Sequence, residues 1–380
     1  MHGMQERSEA MKNEIINIGI PENPFGGGAS LNAWLLTGEK NILIDGVPEK
    51  HAEEYIKNIS AHISPDKIDC IVMGHASPER TGCLKRLLEL NGNIKVYASV
   101  AGLRNIEETL NFSVNGEICK NGGRLEAGDN SLEFYLTPNV TWPDTMLTYS
   151  KQHEALFTGE LFSSAAEGAA EFYEKNLRFF VPYVKAAVKK VKDISPKVLY
   201  PGRGTAPARN INELTGLYDR LYAEKFQDTK KVLLAYASRS GNTAAVAGKI
   251  QNKLESRGVS VLSFDLTCCT SLQRVAKAAE DADGLVLGTY TNKRTMPQCV
   301  WDFISSLNVN LMSGKPYFVF GSQGWSGEGV FMADSILSML KLRHCGKALS
   351  FTLAPSESDI SSALQYAQTL ADKLSEVQHA

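Results

Sequence analysis

The chain has 380 residues, 43% apolar and 22% charged, with 40 Lys and Arg against 42 Asp and Glu. That length exceeds one ordinary core and predicts two domains, and the near-neutral balance gives no reason to expect nucleic acid or an anionic membrane as partner. Seven scattered cysteines (70, 83, 119, 268, 269, 299 and 345) form no Cys-x-x-Cys pair, which argues against a disulfide framework or a cysteine-rich cluster and for reduced thiols in the cytosol. In chain order, the N-terminus, Met1 to Glu14, is too polar for a signal peptide, and no apolar run reaches the roughly 20 residues of a membrane span. A Gly-rich turn, Phe25 to Ser30, precedes strands over 32–37 and 41–45 and a helix over 49–63. A strand over 68–73 then runs into the corner Gly74-His75-Ala76-Ser77-Pro78-Glu79-Arg80-Thr81-Gly82. Strands over 131–137 and 155–158 each end in a polar corner. Strands arriving in pairs with helices between them predict an αββα sandwich over residues 1–228.

After the polar stretch 223–230 the pattern changes. Strands over 232–237, 259–265, 284–289, 317–321 and 348–353 alternate with helices over 243–257, 271–282, 299–307 and 329–344, and a last helix over 358–377 closes the chain. Apolar strands alternating with amphipathic helices predict a doubly wound, flavodoxin-like sheet of five parallel strands over residues 229–380, with a ligand at the carboxyl ends of the strands. Adjacent Cys268 and Cys269 fall at one of those ends, where packing and redox use are both open.

Three loops at this edge carry the chemistry. Ser238-Arg239-Ser240-Gly241-Asn242-Thr243 joins the first strand to a helix and offers hydroxyls, a glycine and helix N-terminal amides to a phosphate. It lacks the Gly-Lys-Ser/Thr of a P-loop, which favours the monophosphate of FMN over a nucleoside triphosphate. Thr289-Tyr290-Thr291-Asn292 follows the third strand, and Ser322-Gln323-Gly324-Trp325-Ser326-Gly327 follows the fourth. Their backbone groups suit the polar rim of an isoalloxazine, and Tyr290 and Trp325 are the stacking candidates.

Gly321-Ser322-x-Gly324-Trp325-Ser326-Gly327 resembles the flavodoxin domain of the flavodiiron proteins, also called A-type flavoproteins. The N-terminal half resembles their metallo-β-lactamase-like domain, with 32–45, 74–82, Trp142-Pro143-Asp144-Thr145-Met146 and 156–158 in family order. The second loop, 288–297, departs from the family: it is a residue shorter and carries Lys293-Arg294 where a small residue is common.

The resemblance implies a two-iron site with ligands His-x-Glu-x-Asp-His, a His before Trp-Pro-Asp, an Asp at a later strand end and a final His-Gly. This sequence holds His75, but Ser77 stands for the Glu, Glu79 for the Asp and Arg80 for the His. Thr141, Glu160 and Arg203 stand for the remaining His, Asp and His. Arginine has no lone pair to give a metal. Arg80 and Arg203 are therefore expected to pair with Glu79 and Glu160 as a neutral cluster, the diiron centre being absent. A single metal on His75, Glu79 and Glu160 is the competing arrangement. Hydrolysis of the β-lactamase kind would need the missing ligands.

The reading is a cytosolic FMN redox protein that acts as an oxidoreductase or electron-transfer flavoprotein. Reduction of oxygen or nitric oxide at a non-standard metal site, and service as an electron-transferring subunit of a larger complex, stay open. Family analogy implies a head-to-tail homodimer or larger assembly and a rubredoxin, ferredoxin or reductase as redox partner. No Gly-x-Gly-x-x-Gly is present to bind a dinucleotide.

Overall fold

The computed structural model describes residues 13–21, 30–163, 166–223 and 229–376. Residues 25–29 of the Gly-rich turn, the N-terminus through residue 12 and residues 224–228 of the polar stretch lie outside them. The chain divides into two units, residues 1–225 and 226–380, a few residues from the expected boundary.

The first unit is built on two sheets. One has the order β1 (Ile15–Asn17), β2 (Trp34–Leu36), β3 (Asn41–Ile44), β4 (Ile68–Val72), β5 (Lys95–Ala98) and β6 (Gly116–Ile118). The other runs β7 (Arg124–Ala127), β8 (Asn130–Leu136), β9 (Met146–Ser150), β10 (Ala155–Ser163) and β11 (Val198–Arg203). Alternation along each strand decides which layer a side chain enters. Ile42 and Ile44 of β3 and Val72 of β4 meet Leu132, Phe134 and Phe157 of the second sheet. Leu43 and Ile71 turn the other way, under the helices α1 (Ala52–Ser60), α2 (Pro78–Thr81), α3 (Leu84–Leu90) and α4 (Val100–Leu110). Leu156 and Leu199 face α5 (Ala166–Phe172), α6 (Val181–Ile194) and α7 (Ile211–Ala223) on the opposite side. Helix, sheet, sheet, helix is the expected sandwich.

The second unit is one parallel sheet. From the edge inward run β13 (Ser260–Asp265), β12 (Lys231–Tyr236), β14 (Gly284–Tyr290) and β15 (Pro316–Gln323). Its two faces alternate in the same way: Leu233, Leu285 and Val319 line one core, and Val232, Val286 and Phe318 the other. The helices are α8 (Asn242–Glu255), α9 (Leu272–Asp281), α10 (Gln298–Ser305), α11 (Val309–Met312), α12 (Glu328–Met339) and α13 (Glu357–Glu376).

The fifth strand position differs from expectation. Two short pieces fill it, β16 (Arg343–His344) against Pro316 and Tyr317, and β17 (Leu349–Thr352) against the far end of β15. The helix expected over 329–344 therefore stops at Met339. Lys341 is left-handed, with φ 63°, and its carbonyl accepts from Gly314 N at 2.9 Å, which turns the chain back into the sheet. The strand expected over 155–158 runs on to Ser163 and so carries Glu160 on its backbone.

Candidate functional site

In the second unit, the loop after β12 turns through Gly241 at φ 82°, with open space where a Cβ would stand. Only glycine takes that conformation freely, and it lets the chain enter α8 at once. The first-turn amides of α8 have no intrahelical acceptor, so they and the macrodipole favour an anion there. Ser238 Oγ accepts from Ala244 N at 3.2 Å, while Arg239 and Ser240 are exposed. Thr243 is buried, and its hydroxyl lies 3.4 Å from Thr289 O and 3.3 Å from Ser322 Oγ. One side chain thus joins all three expected loops.

The second and third of these loops are tied further. Thr291 N donates to Ser322 O at 3.0 Å, and Gly329 N donates to Thr291 Oγ1 at 3.2 Å. Ser350 Oγ donates to Gln323 Oε1 at 3.0 Å. A Cβ on Gly321 would fall 1.9 Å from Thr289 O, so only glycine allows β14 and β15 to approach this closely. Tyr290 is half-buried against the core, whereas Trp325 is 92% exposed, with Gly324, Ser326 and Gly327 around it and Asn292 at the neighbouring turn. An open cradle at a helix N-terminus beside an unburied aromatic fits a flavin mononucleotide.

The first unit brings together most of the positions matched to metal ligands. Asp45 Oδ1 accepts from Gly74 N and Asp144 Oδ2 from Ala76 N, each at 2.7 Å, which fixes the corner holding His75. His75 is buried; Ser77 N donates to its Nδ1 at 3.3 Å, so the ring proton belongs on Nε2. Trp142 stacks over the ring, with centroids 6.1 Å apart. Nε2 faces Glu160 Oε1 at 3.5 Å, a long contact to that carboxylate. Ser77 Oγ and Thr141 Oγ1 are buried and unpartnered among the described residues, and Thr141 is left-handed at φ 69°. His75, Thr158 and Glu160 help line a cavity of about 10 Å³, room for about one water.

Arg80 is fully buried. Its Nη1 donates to Asn32 O at 2.6 Å, and its Nη2 to Gly202 O at 2.6 Å and to Glu160 Oε1 at 2.8 Å. A Cβ at 202 would fall 2.5 Å from that Nη2, so Gly202 makes room for the guanidinium. Arg203 donates to Glu160 Oε2 through Nε and to Glu79 Oε2 through Nη2, closing the chain of charges toward solvent. Burial alone would push the Glu160 carboxyl up, but Arg80, His75 and Arg203 outweigh it and hold the group well below the usual carboxylate range. Burial likewise opposes the charge on Arg203, and Glu160 and Glu79 more than restore it.

These residues do not fit a two-iron centre. Two positions hold guanidiniums, which donate and cannot ligate, and Glu160 gives both oxygens to them. Among the described residues, no group of three His, Cys, Asp or Glu side chains is disposed to hold a metal ion. Asn32 and Gly202 escaped the sequence reading because they act through main-chain carbonyls. The described helices include none long and apolar enough to cross a membrane.

A family model described as ODP family beta lactamase matches residues 30–196, and the flavodoxin model matches residues 234–366. The Flavo-diiron protein FprA2 of Clostridium acetobutylicum is 28% identical over 379 residues, covering 91% of this chain and 92% of its own. Type A flavoprotein fprA of Rhodobacter capsulatus is 28% identical over 372 residues, covering 91% and 85%. The solved rubredoxin oxygen:oxidoreductase of Desulfovibrio gigas shares the fold, with a TM-score of 0.70 at 22% identity over 96% of this chain and 98% of that one.

Proposed function

The chain belongs to the flavodiiron (A-type flavoprotein) family, and from that premise we propose that it is an FMN-dependent redox protein that works without a diiron centre. The observation that carries the second half is Glu160, whose two oxygens meet two arginines at positions the resemblance assigns to metal ligands. A cation pair and its carboxylates are replaced by a neutral set of two Arg and two Glu, so no buried charge is left uncompensated.

In this reading Ser238, Ser240, Asn242 and Thr243 hold the phosphate of FMN. Main-chain groups of 289–292 and 322–327 meet the polar rim of the ring, with Tyr290 and Trp325 beside it. When bound, FMN accepts and donates electrons one or two at a time, and the protein's part is to hold the ring and set its surroundings. The electrons go to or come from a protein partner of the carrier or reductase class. We keep a head-to-tail homodimer and a cytosolic setting as part of the proposal, to be checked by the mass of the purified protein in solution and by its location in the cell.

The test is elemental analysis beside a visible spectrum of purified protein. One flavin per chain with iron far below one per chain, and no uptake of oxygen or nitric oxide beyond slow flavin reoxidation, is the expected result. Two irons per chain with rapid reduction of either gas overturns the proposal. Metal-dependent turnover abolished by His75→Ala would restore the reductase reading. A stoichiometric co-purifying protein would favour a subunit of a larger complex.

A further inference from the structure

One hydroxyl inside the first unit is left over once the charge cluster is assembled. Thr158 is 1% exposed, and its Oγ1 has no hydrogen-bond partner among the described residues. A buried hydroxyl in that position costs free energy, and native folds rarely leave one unpaired.

A bulge in β10 sets its place. Phe157 pairs with Tyr200 and Gly159 with Pro201, so Thr158 is one residue more than β11 can match. Gly159 is left-handed at φ 51°, with open space where a Cβ would stand. Bulges re-aim the side chains around them. Here the regular alternation fails: Phe157 lies between the two sheets, while Leu161, four residues on, lies under the helices. The outcome is that Thr158 and Glu160 border the same cavity of about 10 Å³, facing His75.

The walls of that cavity select its occupant. Val140, Leu147 and Leu161 are apolar and buried, and Glu160 is the one charged residue lining it among the described residues. Its charge is already met by Arg80 and Arg203, so an anion would face a carboxylate. A cation would face the proton on His75 Nε2 and lie beside two guanidiniums. The contact between Nε2 and Glu160 Oε1, at 3.5 Å, is longer than the 2.7–3.2 Å of a good N–H···O bond. A long polar contact beside a cavity is where a bridging molecule belongs. The molecule must be neutral, must both donate and accept, and must fit a space of one solvent molecule. A buried water needs two to four polar partners, and three converge here.

We infer that this cavity is a built site for one structural water, which accepts from His75 Nε2, donates to Glu160 and takes Thr158 Oγ1 as its third partner. Oε1 accepts from Arg80 Nη2 at 2.8 Å and has a second lone pair to offer. The water joins His75, on the corner after β4 of the first sheet, to β10 of the second. It thereby brings the histidine into the hydrogen-bonded link that Arg80 and Arg203 make. The inference rests on the reading of a protein without a diiron centre and is independent of the flavin, since every group belongs to the first unit.

The test begins with crystals of the full chain at a resolution that shows ordered water. One peak of density should lie about 2.7–3.2 Å from Thr158 Oγ1, His75 Nε2 and a Glu160 oxygen, with no anomalous signal there after soaking in ferrous iron or zinc. Lack of the peak overturns the inference and leaves the metal-free reading standing. An anomalous peak bonded to His75 overturns both, in favour of a metal. A second measurement reads a sign. Urea unfolding of the first unit is followed by Trp34 and Trp142 in a full chain carrying Trp301→Phe and Trp325→Phe. With water bound, Thr158→Val strands it, and the midpoint should fall by about 0.5 M. With no water, valine relieves an unpaired buried hydroxyl at nearly equal shape, and the midpoint would hold or rise. A midpoint at or above that of the threonine chain therefore overturns the inference.

Discussion

Replacing Arg80 by methionine tests whether the charge cluster holds the first unit together. Methionine keeps much of the side-chain length, so cavity formation contributes little. Three bonds are lost: to Asn32 O at 2.6 Å, to Gly202 O at 2.6 Å and to Glu160 at 2.8 Å. Gly202 O still accepts from Asn32 N at 2.8 Å, so its loss is small. Asn32 O is left without a described donor, which costs about 1–3 kcal/mol. Breaking a buried ion pair by removing one partner costs about 3–5 kcal/mol, and Glu160 keeps Arg203, so the lower end applies. The expected loss is about 4–6 kcal/mol, a large share of the stability of an ordinary domain. Urea unfolding of the full chain carrying Trp301→Phe and Trp325→Phe, followed by the fluorescence of Trp34 and Trp142, reports the first unit, and the visible signal of bound FMN reports the second. The midpoint of the first should fall steeply while the second stays in place, and a chelator should change neither. A loss under about 1 kcal/mol, or a wild-type midpoint lowered by chelator, refutes the argument.

Glu160 gives the pH dependence. Its folded carboxyl holds a proton less tightly than the unfolded one, so it stabilises the fold above the ordinary glutamate value of about 4.3 and loses that effect as pH falls below it. Urea midpoints of wild type and Glu160→Gln should converge toward acid, the variant being weaker at neutral pH. Gly202→Ala places a Cβ 2.5 Å from Arg80 Nη2 and 2.9 Å from Gly159 O, and should cost about 1–3 kcal/mol by the same assay. Trp325→Ala should leave the stability of the flavin-free chain within about 0.5 kcal/mol, because the ring is exposed, yet weaken FMN about tenfold in a fluorescence titration. Thr243→Val keeps the shape and removes the hydroxyl shared with Thr289 and Ser322; FMN affinity should fall by at least tenfold, and an unchanged affinity would count against the three-loop site.

How legible each part was in the sequence follows from physics. β12, β14 and β15 are apolar on both faces and stand between amphipathic helices, so they read without ambiguity. β6 is Gly-Glu-Ile with every residue exposed, and β7 is a half-exposed edge strand, so neither carried a burial signal. β16 has only two exposed residues, and the left-handed Lys341 before it has no turn signature, which let the helix reading run on. The members of the charge cluster were visible as substitutions within a resembled motif. Their partners among main-chain carbonyls were not, since a carbonyl has no letter in the sequence. The turn closed by the main-chain bonds between Asn292 and Thr295 was hidden for the opposite reason: Lys293 and Arg294 inside it are left-handed, at φ 50° and 64°, a conformation their letters argue against.

The geometry of Arg80 also says why an arginine, and not an apolar side chain, occupies this space. Replacing a buried ion pair with apolar residues is often neutral or better for stability, so charge balance alone would not require the cluster. Arg80, however, lies on α2 after β4 of the first sheet, and its donors reach Asn32, just before β2 of that sheet, and Gly202 and Glu160 on β11 and β10 of the second. The guanidinium is a cross-link between the two sheets made partly through main-chain carbonyls, which no apolar residue can satisfy. Arg203 extends the link to Glu79 on α2. Side chains of both sheets gathered on metal ions would tie the same elements. Guanidiniums at these positions make that tie between the sheets through hydrogen bonds instead.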